Sequence, residues 1–179
     1  MKKYIISLFI ILYSLFTPQI IFAEYVLPYP SFMPGNKIYK ITRIIDSLKN
    51  YWYFGNIAQE KYHLALADKY LVEAKTLFEY KQYLLGQDAI DRSDSQIRSA
   101  SISFEKGLKS TEDLSGQLKI FCNALSAHNE VLATTSKSTP EKYIWEDEKK
   151  EPVSLNLASR LQHSMGIRTD LIRKYACDR

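Results

Sequence analysis

Three histidines, two cysteines and 20 acidic side chains are the groups in this chain that could do chemistry. Their spacing decides whether they do. His63, His128 and His163 lie far apart in sequence, and none stands beside a signature nucleophile. Glu60 and His63 have the glutamate-x-x-histidine spacing with which di-iron bundles aim two ligands inward. Such a centre needs a second pair and further glutamates on facing helices, yet the residues three before His128 and His163 are Leu125 and Arg160. Glu60 and His63 therefore read as an ordinary pair on a helix surface. Cys122 and Cys177 are too far apart in sequence for a zinc-ligand pattern. No glycine-rich phosphate loop, Gly-x-Ser-x-Gly elbow or His-Glu-x-x-His occurs. The expectation is a protein that is not an enzyme, with no catalytic residues, no cofactor and no metal site. His128 falls on an apolar stripe and reads as a core-edge histidine with one nitrogen hydrogen-bonded, or as a pH sensor.

The N-terminus says where the chain works. Met1, Lys2 and Lys3 precede an apolar run from Tyr4 to Phe16, then Pro18 and a short stretch closing on Ile21, Phe22 and Ala23. Charged, apolar and small-residue regions in that order predict a secretory signal peptide cut after Ala23, with an uncleaved membrane anchor as the other reading. Both place the remainder outside the cytoplasm, secreted or associated with the cell envelope. Loss of Lys2 and Lys3 from the chain's 24 basic residues leaves 22 against 20 acidic ones, which is not a nucleic-acid binder's balance. Membrane contact is expected only through an uncleaved N-terminal segment. Export makes a Cys122–Cys177 bridge permissible, but Cys122 sits among apolar helix positions where a free thiol packs as a small hydrophobe, so sequence leaves the pairing open.

Residues 24–36 carry Pro28, Pro30 and Pro34, which hold the segment extended. Leu27, Tyr29, Phe32 and Met33 between them suggest an apolar strap against the body; the sharper alternative is a proline-rich recognition segment. Leu27, Pro28, Tyr29, Pro30 and Phe32 are the candidate interaction surface. Ile38, Ile41, Ile45, Leu48 and Trp52 then share one helical face, with Gly55 as a left-handed stop and Asn56 and Gln59 as a capping box for the next helix. That helix is expected from Ile57 to Lys81, about 37 Å long, with Leu64, Ala67, Leu71, Ala74 and Phe78 on its stripe. A third spans Tyr83 to Lys109. Ser110 caps a fourth, whose stripe is Leu114, Leu118, Phe121, Leu125, His128 and Leu132. Thr139 and Pro140 read as a new helix start, Glu146–Glu151 as a solvated helix end and linker, and Leu157, Leu161, Met165, Ile172 and Tyr175 as a last helix. The helices are too long for tetratricopeptide-like repeats.

The leader, the Tyr25-Val-Leu-Pro-Tyr-Pro-Ser-Phe-Met-Pro-Gly segment, the helix after it, and Lys61 to Ala74 with its Ala-Asp-Lys core resemble an exported bacterial domain-of-unknown-function family, numbered 5667. The resemblance runs from Tyr25 to Leu132, weakly through Ala127-His128-Asn129-Glu130-Val131-Leu132, and the stretch beyond Pro140 departs from it. It implies an extracytoplasmic helical domain and carries over no catalytic or binding residues.

The expected fold is all-α: an elongated antiparallel bundle of about five or six helices, without strands, behind an extended proline-rich strap. Residues 1–23 are the signal peptide, 24–36 the strap and 37–179 the bundle, with 137–152 a charged linker inside it. The expected function is a structural or protein-interaction module of the bacterial envelope whose partner is another envelope protein. The alternative is a small-ligand or metal-binding protein of the four-helix-bundle type, using His63 or His128. The 13 tyrosines, crowded toward the first helices, suit either an interface or a narrow bundle with hydroxyls outward.

Overall fold

The computed structural model describes residues 25–109, 113–147 and 150–177; the expected signal peptide and the Ser110 cap lie outside them. The described chain is mostly helical. Residues 25–36 form no regular element, and Gly35, at φ 100°, turns the chain so that the Asn36 side chain accepts from the Ile38 N–H at 2.9 Å and caps α1, Lys37–Lys49. One 3-10 turn, Asn50–Trp52, leads to Gly55 at φ 90° and then α2, Asn56–Glu79. Asn56 is therefore the first helical residue, not the cap. Gln59 turns back instead, donating to the carbonyls of Asn50 and Tyr53 at 3.2 and 2.7 Å.

α2 and α3, Tyr83–Leu108, form the central hairpin. Their turn carries no glycine; Lys81 takes the left-handed conformation at φ 58° and lets Gln82 N–H reach the Leu77 carbonyl at 2.8 Å. At Gly86 a β-carbon would sit 2.9 Å from the Phe78 ring, so the helices approach closely just past the turn, as they do again at Gly107, where a β-carbon would sit 2.5 Å from Ile57. α4, Ser115–Ser138, packs on α2, and α5, Leu157–Tyr175, packs on both α3 and α4. The ring of contacts α2, α3, α5, α4 and back to α2 closes a four-helix core. α4 starts with the Asp113 carboxylate accepting the Ser115 N–H at 3.0 Å, and it continues through the polar residues Thr134 to Ser138.

Residues 142–156 correct the expectation of an all-helical chain with a charged linker. They form an antiparallel hairpin of β1, Lys142–Asp147, and β2, Lys150–Asn156. Thr139 and Pro140 start no helix. Tyr143 pairs with Leu155 and Trp145 with Val153, so every second residue faces the bundle; Leu155 is buried, Trp145 packs on the core and Tyr143 meets the Tyr83 ring edge-on at 4.8 Å. Pro152 is tolerated because each strand of a two-stranded ladder is an edge. At the end of β2 the Glu141 carbonyl accepts the Leu157 and Ala158 N–H groups, and Asn156 accepts that of Ser159, capping α5.

Sequence leaves the cysteines open; the structure joins them. Cys122 of α4 and Cys177 beyond α5 form a disulfide with α-carbons 5.4 Å apart.

Candidate functional site

The apolar stripes of the four core helices are each interrupted at the same level. Near the α2–α3 turn lies one cluster, with Leu71, Leu77, Phe78, Ile90, Leu132 and Leu161; toward the other end lies a second, with Leu64, Ile97, Phe121, Leu125 and Ile167. Between them α2 contributes Asp68, α3 Ser93 and Asp94, α4 His128 and α5 Ser164 and Arg168, all buried. Each sits in stripe register: Asp68 between Leu64 and Leu71, Asp94 between Ile90 and Ile97, His128 between Leu125 and Leu132, Arg168 seven residues after Leu161.

Arg168 organises the layer. Its Nη1 donates to Asp94 Oδ1 at 2.6 Å and to the Ser164 carbonyl and hydroxyl at 3.0 and 2.8 Å; Nη2 donates to Ser93 Oγ at 2.8 Å. Its Nε–H points at His128 Nδ1, 3.2 Å away, so that nitrogen must be the acceptor and the proton resides on Nε2, which donates to Asp68 Oδ1 at 2.6 Å. Asp68 Oδ2 accepts from the Tyr25 hydroxyl at 2.6 Å, and Asp94 Oδ2 from Arg160 at 2.7 Å. Two guanidiniums thus meet on Asp94, while Asp68 is held by Tyr25 and by His128, which completes the layer as a neutral ring. Burial, reinforced by the Arg168 charge, pulls its pKa below the ordinary histidine value against the opposing pull of Asp68. His128 is at the centre of the core with both nitrogens engaged, not at its edge with one.

Glu60 is buried and bonded to Gln117, whose Nε2 donates at 2.7 Å, while His63 Nδ1 bonds Gln96 Oε1 of α3 at 2.8 Å. The two therefore do not form the expected surface pair. Glu60 Oε1 has no hydrogen-bond partner. Burial pushes the Glu60 carboxyl up to about 7, against the bond from Gln117 and the Lys61 charge. A carboxyl raised in the folded state gives stability that is fully present below its unfolded value and lost as pH climbs through the folded one. Between roughly pH 4.5 and 7 the folding free energy should therefore decline on Glu60's account. Glu60→Gln should abolish that decline and make the variant more stable than the parent above pH 7. Urea midpoints measured across this range check it, and parallel profiles for the two proteins would refute it.

Outside the core, α1 lies with its polar side inward. Tyr39 is buried and donates to Glu73 Oε1 at 2.6 Å, Asp46 pairs with Lys69, and the Asp46 carbonyl accepts from Tyr62. Ile38, Ile41, Ile45, Leu48 and Trp52, which share one face as expected, are 43–74% exposed, with Ile45 at the edge of that face lining the groove toward residues 26–32. Groups of three or more histidine, cysteine, aspartate or glutamate side chains able to hold a metal are absent among the described residues.

Of the five candidate interaction residues, Pro28, Tyr29, Pro30 and Phe32 are exposed and Leu27 is half-buried. Pro28, Tyr29 and Phe32 are brought together on the wall of a groove of about 660 Å³ against α1 and α2, and Asp68 of the polar layer reaches it from below. Sequence reasoning missed Asp68, Asp94 and Arg168, although a charged residue in the register of an apolar stripe was visible for each.

Fold and site define a mostly helical protein with a four-helix core crossed by a buried polar layer and an outer helix whose apolar face is uncovered. No family model matches the chain, and neither does any curated protein or any solved structure.

Proposed function

We propose that this is an exported, non-enzymatic module of the bacterial cell envelope that docks a partner protein, with α1 laid into an apolar groove on that partner. The observation that carries the reading is the outward face of α1: a helix fixed by its polar side leaves Ile38, Ile41, Ile45 and Leu48 at the three-and-four spacing with which helices enter grooves. Lys37 at the start of that stripe and Lys49 near its end call for a groove acidic at both ends. The extended proline-rich segment lies on the same side of the molecule as a strap, and its exposed Tyr29 and Phe32 add the aromatic character that interfaces favour. In this reading the bundle is an elongated antiparallel scaffold, and the family resemblance of residues 25–132 belongs with it.

The disulfide supports export, since such bridges persist in oxidising compartments. Among the described residues no helix is long and apolar enough to cross a membrane. The alternative, a ligand or metal held inside the bundle through His128, has less support because both ring nitrogens are already bonded.

Crosslinking in intact envelopes, followed by affinity measurement with the recovered protein, tests the proposal. Ile41→Asp or Ile45→Asp should each cost roughly 2 kcal/mol, about thirtyfold in affinity, while leaving the fold intact because both side chains are exposed. A protein that crosslinks to nothing and stays monomeric would sink the idea, and binding to lipid vesicles alone would replace the partner protein with a membrane surface.

A further inference from the structure

We infer that the cleft between α1 and α3 is a binding site for a phosphorylated small molecule. This cleft lies on the opposite flank of α1 from the strap and stands independently of the docking face. It has a volume of about 460 Å³ and is lined by Lys40 and Arg43 of α1, Tyr70 of α2, and Arg92, Ser95 and Gln96 of α3, with Ile44 as an apolar wall. Three cationic side chains meet there and no carboxylate lines it.

Arg92 is balanced from behind, by Asp88 and by Glu73 at 3.7 Å. The charged heads of Lys40 and Arg43 make no hydrogen bond or ion pair with any described residue, and the Glu73 carboxylate acts on Arg43 only from a distance. Two like charges one turn apart on a helix repel, so this pair is held in place at a cost unless an anion joins it. The neutral groups point the same way. Gln96 gives its Oε1 to His63 at 2.8 Å, which leaves its N–H₂ as the face available to the cleft. Tyr70 lines the cleft although it is mostly buried, and burial, with Asp46 nearby, keeps its hydroxyl protonated and able to donate. Ser95 adds a further hydroxyl.

The donor set selects the ligand. A carboxylate has one charge and two oxygens, too few for two guanidiniums, an ammonium and three neutral donors. A phosphate monoester carries up to two charges and three terminal oxygens, and guanidinium forks match that geometry. The cleft is several times larger than a phosphate group, so an organic portion is expected to rest on Ile44.

Titration calorimetry on the mature chain at low ionic strength, with glycerol phosphate as probe, tests the assignment. Saturable binding of one glycerol phosphate per chain is expected. Lys40→Gln and Arg43→Gln should each weaken it about tenfold, while Lys49→Gln, which removes the same charge from the other side of α1, should not. Both cleft residues are exposed and unbonded, so circular dichroism should show their variants folded. Absent saturable binding, or an equal loss with Lys49→Gln, would overturn the site. Binding to phosphatidic acid vesicles without binding to glycerol phosphate would overturn the small-molecule assignment, because the same phosphate monoester would then be recognised only as a lipid headgroup.

Discussion

Arg168→Met is expected to destabilise the protein by about 3 to 5 kcal/mol, a large part of the stability of a single domain. Methionine fills much of the same volume, so the loss measures the polar layer, not a cavity. Removing the guanidinium strips Asp94 Oδ1 of one charged donor and leaves Ser93 Oγ and His128 Nδ1 without the donors they face. All lie in the interior, where an unpaired polar group costs far more than its bond contributes. Asp94 keeps Arg160 and Ser164, and this should hold the cost within that range. The check is the urea midpoint by far-ultraviolet circular dichroism, at unchanged slope. Asp94→Asn added to Arg168→Met should cost less than the two single losses combined, because the second change removes the charge that the first leaves with one guanidinium in place of two. A single-variant loss under about 1 kcal/mol would show that water enters the layer and solvates it. Buried ionic groups in bundles can fix register at the expense of stability. Here the layer sets four helices at one level, since a shift of one turn in any of them would place a charged or polar group against leucine and phenylalanine.

That layer also shows what the sequence made legible. Helices α2, α3 and α4 follow from three-and-four spacing of apolar residues, and their stripes are the ones that pack. Spacing says that a face is apolar but not what covers it: α1 has as regular a stripe as α2, and its anchors are instead Tyr39, Asp46 and the groups they bond on the hairpin. Asp68, Asp94 and Arg168 escaped notice because an apolar-stripe reading skips charged residues, and the partners that make their burial tolerable come from other helices, 60–74 positions away. The hairpin was lost to the charges of Glu146–Glu151. Alternation over Tyr143, Trp145, Val153 and Leu155 was present, but it is split by the turn, and each half is shorter than the window over which a period becomes evident. The turn at Lys81 had no signal at all, since a lysine in the left-handed region replaces the glycine that would mark it.

Breaking the disulfide should cost about 2 to 4 kcal/mol, the second large effect. Cys122 and Cys177 are 55 residues apart, and the chain between them includes α4 from Asn123 onward, both β-strands and α5. Cross-linking a loop of this length removes much conformational freedom from the unfolded chain. In the folded state the bridge fixes the end of α5, where Tyr175 meets Phe104 and Phe121 edge-on at 5.5 and 5.6 Å and exchanges a hydrogen bond with Ser101 at 2.8 Å. The double variant Cys122→Ser, Cys177→Ser should therefore unfold at lower urea concentration and lose amide protection first over residues 172–177. Protection in α2 and α3, whose contacts do not depend on the bridge, should fall only with global stability. Equal loss of protection throughout would mean that the bridge acts on the unfolded chain alone. Thiol titration of protein recovered from its native compartment supplies the complementary number: no free thiol is expected after denaturation. Two free thiols would remove both the bridge and the redox argument for export, because a pair so readily joined by this fold would stay open only where reductants hold it so.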